Sequence, residues 1–405
     1  MKFCYPLIIV FSLTVSCING EGDNRLLDTE LEAKIVQQQD YALNEIKKAD
    51  PSQRRIFPRT LEEDGSIVRV SKRDWTSGFY PGILWLMYDL TKNEKWASEA
   101  RVYTELLESE QFNDSNHDIG FKMMSSFGQG YRLTGDERYR EILIQSARTL
   151  ISRFNENVGC IRSWDHHEDK WDYPVIIDNM VNLELLFWAS KETGDPVYAN
   201  IAVEHAKTTM ENHFRSDYST YHVVSYDTVT GEAVKKQTRQ GAFDESCWAR
   251  GQAWGLYGYT MAYRETKLSE FLNQAENIAN YILNIEKLPE DYVPYWDFSL
   301  SDKPSEPRDV SAAAIIASAL YELNKYSKEN KEKYVQIADN IMASLKSAKY
   351  FNNTGTNGGF LLRHSTGSKP VNSEIDVPLI YADYYYLEAL LRKNQIQSNY
   401  LLTAN

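Results

Sequence analysis

The chain has 405 residues, of which 42% are hydrophobic and 25% are charged, so it is long enough to bury a large core. Its formal net charge is −13, which excludes a general nucleic-acid binder and means that an anionic ligand must be met by local positive groups. The sequence has no CxxC, HExxH, GxGxxG or GKT motif, so no metal site or nucleotide cofactor is expected.

The N-terminus is predicted to be the export signal of a bacterial protein. A short apolar stretch ends in LTVSC, which resembles a lipoprotein box and predicts that residues 1–17 are a signal with a lipid on Cys17. Thr14 stands where such boxes usually carry Leu, so cleavage without lipidation is the alternative. Residues 18–28 would then form a tether, and residues 29–405 one folded domain in the periplasm, either free or anchored to the membrane.

A helical pattern recurs along this domain. An apolar run is followed by a polar turn and then by an amphipathic run that opens with an aromatic residue or Ala. The turns contain Thr91, Thr134, Thr193, Thr266 and Ser327. Self-similarity of this kind is typical of a helical repeat array.

The runs before the turns are apolar nearly all round and are therefore predicted to be buried inner helices. They span residues 79–90, 118–133, 178–190, 249–265, 310–326 and 381–393. The runs after the turns have a charged face, and residues 30–48 add one more helix of this outer type before the first inner one. Six inner and six outer helices predict an all-α fold, an (α/α)6 barrel, with short hairpin strands at 219–227 and 358–364.

Alternation of inner and outer helices makes all inner helices run in the same direction. Their N-termini then meet at one mouth, where unpaired backbone N–H groups favour anions. The side chains predicted at this mouth are those of Asp74, Trp75, His117, Asp118, Asp178, Trp248, Arg250, Trp254, Arg308, Asp309, Tyr381 and Asp383.

Two carboxylates head adjacent inner helices, Asp118 and Asp178. Paired carboxylates are the usual device for cleaving a glycosidic bond, although an Asp at a helix start is more often a cap. Arg250 and Trp254 are one helical turn apart and could pair a carboxylate and stack on a sugar ring. The alternative for this pair is an arginine that lies over a core tryptophan.

Five motifs, in this order, resemble the unsaturated glucuronyl hydrolases of glycoside hydrolase family 88. They are WTSGFYPG (75–82), HDIGF (117–121), DNMVNL (178–183), STYH (219–222) and SCWARGQAW (246–254). The resemblance implies an (α/α)6 barrel, in agreement with the repeat count. It also implies the substrate, an oligosaccharide that a polysaccharide lyase has left with a 4,5-unsaturated uronic acid at its non-reducing end.

The resemblance further implies a mechanism that hydrates the ring double bond. Asp178 would protonate C4, and its carboxylate would then take a proton from the water that adds at C5. Asp118 would hold the sugar and keep Asp178 protonated. The family positions that contact the sugar correspond to His222, Gln240, Arg250 and Trp254, with Trp75 as an aromatic wall. No metal or cofactor is implied.

A polar segment near the C-terminus suggests the class of substrate. Ser365, Ser368 and Lys369 offer hydroxyl and cationic donors that resemble a sulfate-binding loop, with a plain polar turn as the alternative. The expected substrate is therefore a glycosaminoglycan fragment, and a sulfate-binding role of this loop predicts that the fragment is sulfated. Two other functions stay open: an unsaturated rhamnogalacturonyl hydrolase acting on pectin fragments, and a non-catalytic, lipid-anchored glycan-binding protein.

Overall fold

A computed structural model describes residues 28–48, 54–166, 169–283, 288–300 and 304–404. Helices dominate these ranges. The α-helices are α1 (Thr29–Lys47), α2 (Phe79–Thr91), α3 (Glu94–Glu105), α4 (Ile119–Met123), α5 (Gln129–Thr134), α6 (Glu137–Ile151), α7 (Asn179–Thr193), α8 (Pro196–Asn212), α9 (Ala249–Thr266), α10 (Ser269–Leu283), α11 (Val310–Leu323), α12 (Lys331–Lys346) and α13 (Ile380–Ala404).

The helices alternate between an inner and an outer ring. All residues of the inner helix α11 are buried, because it is built almost wholly from Ala, Ile, Leu and other small or apolar residues. The outer helix α10 buries only one apolar face. The inner helices contact one another in chain order, and α13 returns to contact α2. This closed ring confirms the predicted all-α (α/α)6 barrel.

The recurring threonines end four inner helices in the same way. The side-chain hydroxyls of Thr91, Thr134, Thr193 and Thr266 each donate to the carbonyl four residues earlier and accept the N–H two residues later. The residue that follows each threonine adopts the left-handed conformation that typically ends an α-helix. The repeated turn of the sequence is thus a physical stop signal for the inner helices.

The second inner helix is interrupted, although the sequence predicted a continuous helix over 118–133. A π-helical turn, Met124–Gly128, separates α4 from α5. Such turns occur often near functional sites.

Short strands form hairpins and one small sheet at the ends of the barrel. They are β1 (Arg55–Leu61), β2 (Ile67–Ser71), β3 (Phe154–Asn155), β4 (Cys160–Ile161), β5 (Tyr173–Ile176), β6 (Val223–Tyr226), β7 (Ala233–Gln237), β8 (Ser365–Ser368) and β9 (Ser373–Val377). The order of the three-stranded sheet is β5-β6-β7, and all its neighbours are antiparallel. Strand β6 lies inside the segment 219–227, where a strand was predicted.

The strand predicted at 358–364 is wrong. Gly358 and Gly359 have φ of 59° and 91°, which turns the chain instead of extending it. The N–H groups of Leu361 and Leu362 then donate to the carboxylate of Asp383, at 2.7 and 3.0 Å. Because these donors bind a buried side chain, the segment forms an isolated bridge between Leu362 and Phe351 instead of a strand, and β8 begins at Ser365.

The predicted signal, Cys17 and all but the last residue of the tether lie outside the described residues. Within the described ranges, no helix combines the length and the apolar composition that crossing a bilayer would require. Cys160 and Cys247 are buried free thiols.

Candidate active site

A cavity of about 320 Å³ lies where the N-termini of the inner helices meet. The predicted site residues that line it are Trp75, Asp118, Asp178, Gln240, Arg250 and Ser368. The remaining predicted residues, which are His222, Trp254, Ser365 and Lys369, do not line it in the part of the chain that the structure describes. The mouth of the barrel therefore gathers most of the predicted side chains, as the shared direction of the inner helices requires.

The acids at the helix starts fall into two groups. Asp74 and Asp309 act as caps, since each accepts a backbone N–H of the following turn, at 2.9 and 3.1 Å. Asp118 and Asp178 occupy the same position ahead of α4 and α7 but make no capping hydrogen bond. Capping therefore does not account for these two carboxylates, and both face the cavity instead.

Asp178 is held in an environment that disfavours its charged form. Its side chain is only 13% exposed, and its Oδ2 atom is buried without a hydrogen-bond partner among the described residues. Burial raises the pKa of this carboxyl from 3.8 to about 7, against the opposing effects of His117 and Arg250 and with a small contribution from Asp118. Asp178 can therefore exist both as an acid and as a carboxylate near neutral pH.

His222 lies behind Asp178 and is neutral. Burial, aided by the nearby Arg250, lowers the pKa of this imidazole well below its usual value. Its Nδ1 accepts the backbone N–H groups of Arg239 and Gln240, both at 3.2 Å, so we assign the ring proton to Nε2. Nε2 lies 3.7 Å from Oδ2 of Asp178. The neutral imidazole of His222 thus turns its N–H group towards the carboxyl of Asp178.

Asp118 is paired with the residue before it. Nε2 of His117 lies 3.3 Å from its Oδ1, and the imidazole is almost fully buried while the carboxylate remains 22% exposed to the cavity. His117 thereby fixes the orientation of a carboxylate that can still accept hydrogen bonds from a ligand.

The helices that carry the two carboxylates are locked together by Asn182. Its Oδ1 accepts the N–H of Phe121 at 2.7 Å, which joins α7 to α4. The backbones are so close that a Cβ on Gly120 would lie 2.5 Å from Cα of Asn182. This contact fixes the position of Asp118 relative to Asp178.

A buried ion pair anchors the same short helix from its other side. Nζ of Lys122 lies 2.7 Å from Oε2 of Glu110, and both side chains are at most 3% exposed. Since α4 is separated from α5 by the π-turn, this pair helps to hold Asp118 at the cavity.

Comparisons with known proteins decide the family. The profile of Glycosyl Hydrolase Family 88 matches residues 46–402. The chain belongs to glycosyl hydrolase family 88. It is 45% identical to an unsaturated glucuronyl hydrolase of Formosa agariphila over 98% of this chain and 99% of that protein. An unsaturated chondroitin disaccharide hydrolase of Streptococcus agalactiae is 38% identical over 79% of this chain and 81% of its own length.

Solved structures agree with this assignment. The structure of an unsaturated glucuronyl hydrolase specific for heparin superposes with a TM-score of 0.87 at 45% identity, and it covers 92% of this chain and 99% of that one. The protein is therefore a glycoside hydrolase of family 88 with the (α/α)6 barrel of its relatives.

In this family 88 enzyme, Arg250 lines the cavity, but its guanidinium donates hydrogen bonds to other groups of the protein. Its Nη1 donates to Asp309 and to the carbonyl of Thr366, at 2.5 and 2.7 Å, and its Nη2 donates to the carbonyl of Gly367 at 2.6 Å. Its guanidinium carbon also lies 4.4 Å from the centre of the Trp248 ring. Arg250 thus holds the β8–β9 hairpin at the cavity, a role the sequence did not indicate.

Gln240 and Trp75 are placed at the cavity wall. Nε2 of Gln240 donates to the carbonyl of Gly367 at 3.0 Å, which adds a second link to the hairpin. Trp75 is half-buried and packs against Tyr381, with ring centres 4.9 Å apart. Because both residues line the cavity, the amide of Gln240 and the indole of Trp75 can contact a ligand.

Trp254 does not line the cavity, contrary to the prediction that it contacts the sugar. It is fully buried, and its ring packs against Phe121 and Tyr385 at 5.1 and 5.3 Å. Although it lies one turn after Arg250 on α9, the barrel core covers its indole. Trp254 therefore supports Phe121, which does line the cavity, and it makes no wall of its own.

The structure also contradicts most of the prediction of a sulfate-binding loop. Ser365 is fully buried, and its Oγ accepts the N–H of Ser311 at 3.1 Å. The ammonium of Lys369 is paired with Glu306 and lies 5.4 Å from the centre of the Trp296 ring. Of the three residues, only Ser368 lines the cavity, because strand pairing turns Ser365 inward and an acidic neighbour takes the charge of Lys369.

Several cavity residues have no counterpart in the sequence prediction. Arg59 of β1 lies between Asp74, with Nη1 2.9 Å from its Oδ2, and Glu374, with Nε 2.5 Å from its Oε1. Trp164 and Arg239 also line the cavity. These residues come from hairpins and loops whose positions the barrel sets, so no local pattern marks them.

Proposed function

We propose that this enzyme removes the 4,5-unsaturated uronic acid from the non-reducing end of oligosaccharides that a polysaccharide lyase has produced. The observation that carries the proposal is the state of Asp178. Its carboxyl caps no helix, lies at the cavity and has a pKa raised to about 7. The relative and the solved structure at 45% identity, both of them unsaturated glucuronyl hydrolases, support the same reaction.

The chemistry needs one group that acts first as an acid and then as a base. The substrate is a vinyl ether, and the acid form of Asp178 gives its proton to C4. The carboxylate that remains takes a proton from the water that forms the new C5–O bond, so Asp178 ends the step as it began. The resulting hemiketal opens and the neighbouring sugar is released. A pKa close to the working pH serves both halves of this cycle.

The neighbours of Asp178 suit these two roles. The Nε2–H of His222 faces Oδ2 and would stabilise the carboxylate that forms after the first proton transfer, while the neutral ring leaves the acid form accessible. Asp118, oriented by His117, would accept hydrogen bonds from hydroxyl groups of the sugar.

The class of substrate that we propose is a glycosaminoglycan fragment. One relative is named a chondroitin disaccharide hydrolase, and one solved neighbour is described as specific for heparin. Arg239 lines the cavity and brings a cation to it in a chain of net charge −13, whereas Asp74, Glu374 and Asp309 offset the charges of Arg59 and Arg250.

An absorbance assay tests the proposal. Lyase-made disaccharides of heparan, chondroitin and pectin contain a conjugated alkene, and turnover removes its ultraviolet absorbance. We expect loss of absorbance on glycosaminoglycan disaccharides. Turnover of pectin fragments alone would instead identify a rhamnogalacturonyl hydrolase, and binding without turnover would identify a glycan-binding protein.

We also propose that the enzyme is exported and anchored through a lipid on Cys17, where it acts downstream of a lyase. The support is the LTVSC box and the polar segment after it. Cys17→Ala should move the protein from the membrane to the soluble fraction. Unchanged fractionation, with no acyl mass on the mature N-terminus, would leave a plain secretory signal.

A further inference from the structure

Two lysines near the cavity, Lys170 and Lys235, lack the carboxylate partner that many other lysines of the described residues have. Lys207, for example, lies 3.0 Å from Glu270. Lys170 and Lys235 are exposed, and neither has a carboxylate within 4.0 Å among the described residues. Nζ of Lys235 donates to the carbonyl of Lys170 at 3.0 Å, so the two residues are adjacent. They form a small group of cations that has no carboxylate partner within the described ranges.

The three-stranded sheet connects these lysines to the cavity. Ile176 of β5 lines the cavity, and it pairs with Val223, which in turn pairs with Gln237 of β7. Lys235 precedes Gln237 by two residues, so it lies on the same face of the sheet, about 7 Å along the strand. The row from Ile176 to Lys235 is therefore one continuous face.

Aromatic residues cover that face. Trp164 lines the cavity and packs with Trp171 at a ring distance of 5.7 Å, and both belong to one cluster with Ile176. Nε1 of Trp171 donates to Gln237 at 2.9 Å, and Nζ of Lys170 lies 5.8 Å from the centre of the Trp171 ring. Trp164 and Trp171 are largely buried, so they connect the cavity wall to Lys170 by direct packing and hold this lysine near the cavity.

Two of the nearby carboxylates, Asp165 and Asp244, have other partners. Asp165 is bound by Arg153 at 2.8 Å, and Asp244 accepts the N–H of Thr238 at 3.0 Å. Asp169 and Asp172 flank Lys170 in the sequence, and neither forms an ion pair with the two lysines within the described ranges. Because the protein as a whole repels anions, an anion bound beyond the cavity needs local cations, and these lysines place two exposed ones at this edge of the sheet.

We propose that Lys170 and Lys235 form a subsite for an anionic group, a sulfate or a carboxylate, on the part of an oligosaccharide that extends beyond the sugars held in the cavity. The inference rests on the proposed function and adds to it a preference for longer, anionic chains. It also assigns this contact to the sheet, not to Lys369, whose charge Glu306 neutralises.

Lys236 provides a matched control on the same strand. It pairs with Val224, so it lies on the opposite face of β7, where it approaches Tyr221 at 5.5 Å. The Lys236→Ala variant removes one positive charge from the same strand but leaves the face that carries Lys235 unchanged.

The experiment compares chain lengths. We expect that a double Lys170→Ala/Lys235→Ala variant loses about five- to tenfold in kcat/KM on a sulfated unsaturated tetrasaccharide, the size expected for two partly exposed ion pairs. On the corresponding disaccharide it should match the wild-type enzyme, and Lys236→Ala should match it on both. Higher salt should reduce the difference on the tetrasaccharide.

Equal losses on both chain lengths, or the same loss in Lys236→Ala, would overturn the proposal. Titration of a saturated sulfated tetrasaccharide separates it from the proposed function. If the wild type turned over no unsaturated substrate, the proposed function would fail, yet five- to tenfold weaker tetrasaccharide binding by the double variant would still support the subsite. Equal binding by both proteins would reject it.

Discussion

Nε2 of His222 lies 3.7 Å from Oδ2 of Asp178, and neither atom has a hydrogen-bond partner among the described residues. A buried polar group without a partner typically costs about 1–3 kcal/mol. Stability alone therefore disfavours this arrangement. Its position at the cavity instead suits a carboxyl that must exchange protons with a ligand.

The Asp178→Asn variant should lose turnover while keeping its fold. An amide of nearly the same shape can neither deliver a proton to C4 nor accept one from water. We expect the absorbance assay to show a loss of at least about a hundredfold, the lower range for an acid–base group. Substrate should still bind, as titration with an unsaturated disaccharide would show. Higher residual activity would assign the proton transfer to another residue.

The same variant should be more stable than the wild type at alkaline pH. The pKa of Asp178 is raised to about 7 in the folded protein from 3.8, so ionisation opposes folding increasingly as the pH rises between these values. We expect Asp178→Asn to raise the free energy of unfolding by about 1–3 kcal/mol at pH 8.

That advantage should shrink as the pH falls towards 4 and vanish below it, where the carboxyl is protonated in both the folded and unfolded states. Denaturant titrations at pH 4 and pH 8 provide the check. A stability difference that does not change with pH would mean that the folded protein does not perturb Asp178.

A pair of alanine variants separates a site carboxylate from a cap. Asp118 makes no capping bond, whereas Asp136 accepts the N–H of Arg138 at 3.0 Å at the start of α6. Asp118→Ala should lose activity severely and change stability little. Asp136→Ala should keep its activity and lose about 0.5–2 kcal/mol of stability. The reverse pattern, from parallel activity and unfolding measurements, would make Asp118 a cap.

A pair of glycine variants tests the contact between the helices that carry the two carboxylates. In Gly120→Ala the new Cβ would lie 2.5 Å from the backbone of Asn182, so α4 and α7 must separate. We expect a loss of about 1–3 kcal/mol in stability, together with a fall in kcat as Asp118 moves away from Asp178.

Gly255→Ala on α9 is the matched control. Its new Cβ would be no closer than 3.5 Å to its neighbours, and Ala favours a helix by up to about 1 kcal/mol over Gly. Thermal unfolding and steady-state kinetics of both variants give the comparison. If Gly120→Ala behaved like Gly255→Ala, the close approach to Asn182 would have no functional importance.

The architecture was largely predictable from the sequence. Burial on all sides produces apolar inner runs, and the threonine turns that end them are local signals, so the helices could be counted and their direction inferred. That direction alone placed Asp118, Asp178 and Arg250 at one mouth. The interruption at Met124–Gly128 was not predicted, because an apolar run has the same composition with or without a π-turn.

The tertiary structure decided what each side chain at that mouth can do. Asp178 and Asp309 look alike in the sequence, yet one faces a cavity and the other caps a helix and binds Arg250. Lys369 follows two serines as a sulfate-binding lysine would, yet Glu306, which is distant in sequence, takes its charge. Hydrogen bonding and pKa depend on neighbours from several helices and hairpins, and only the closed barrel brings those neighbours together.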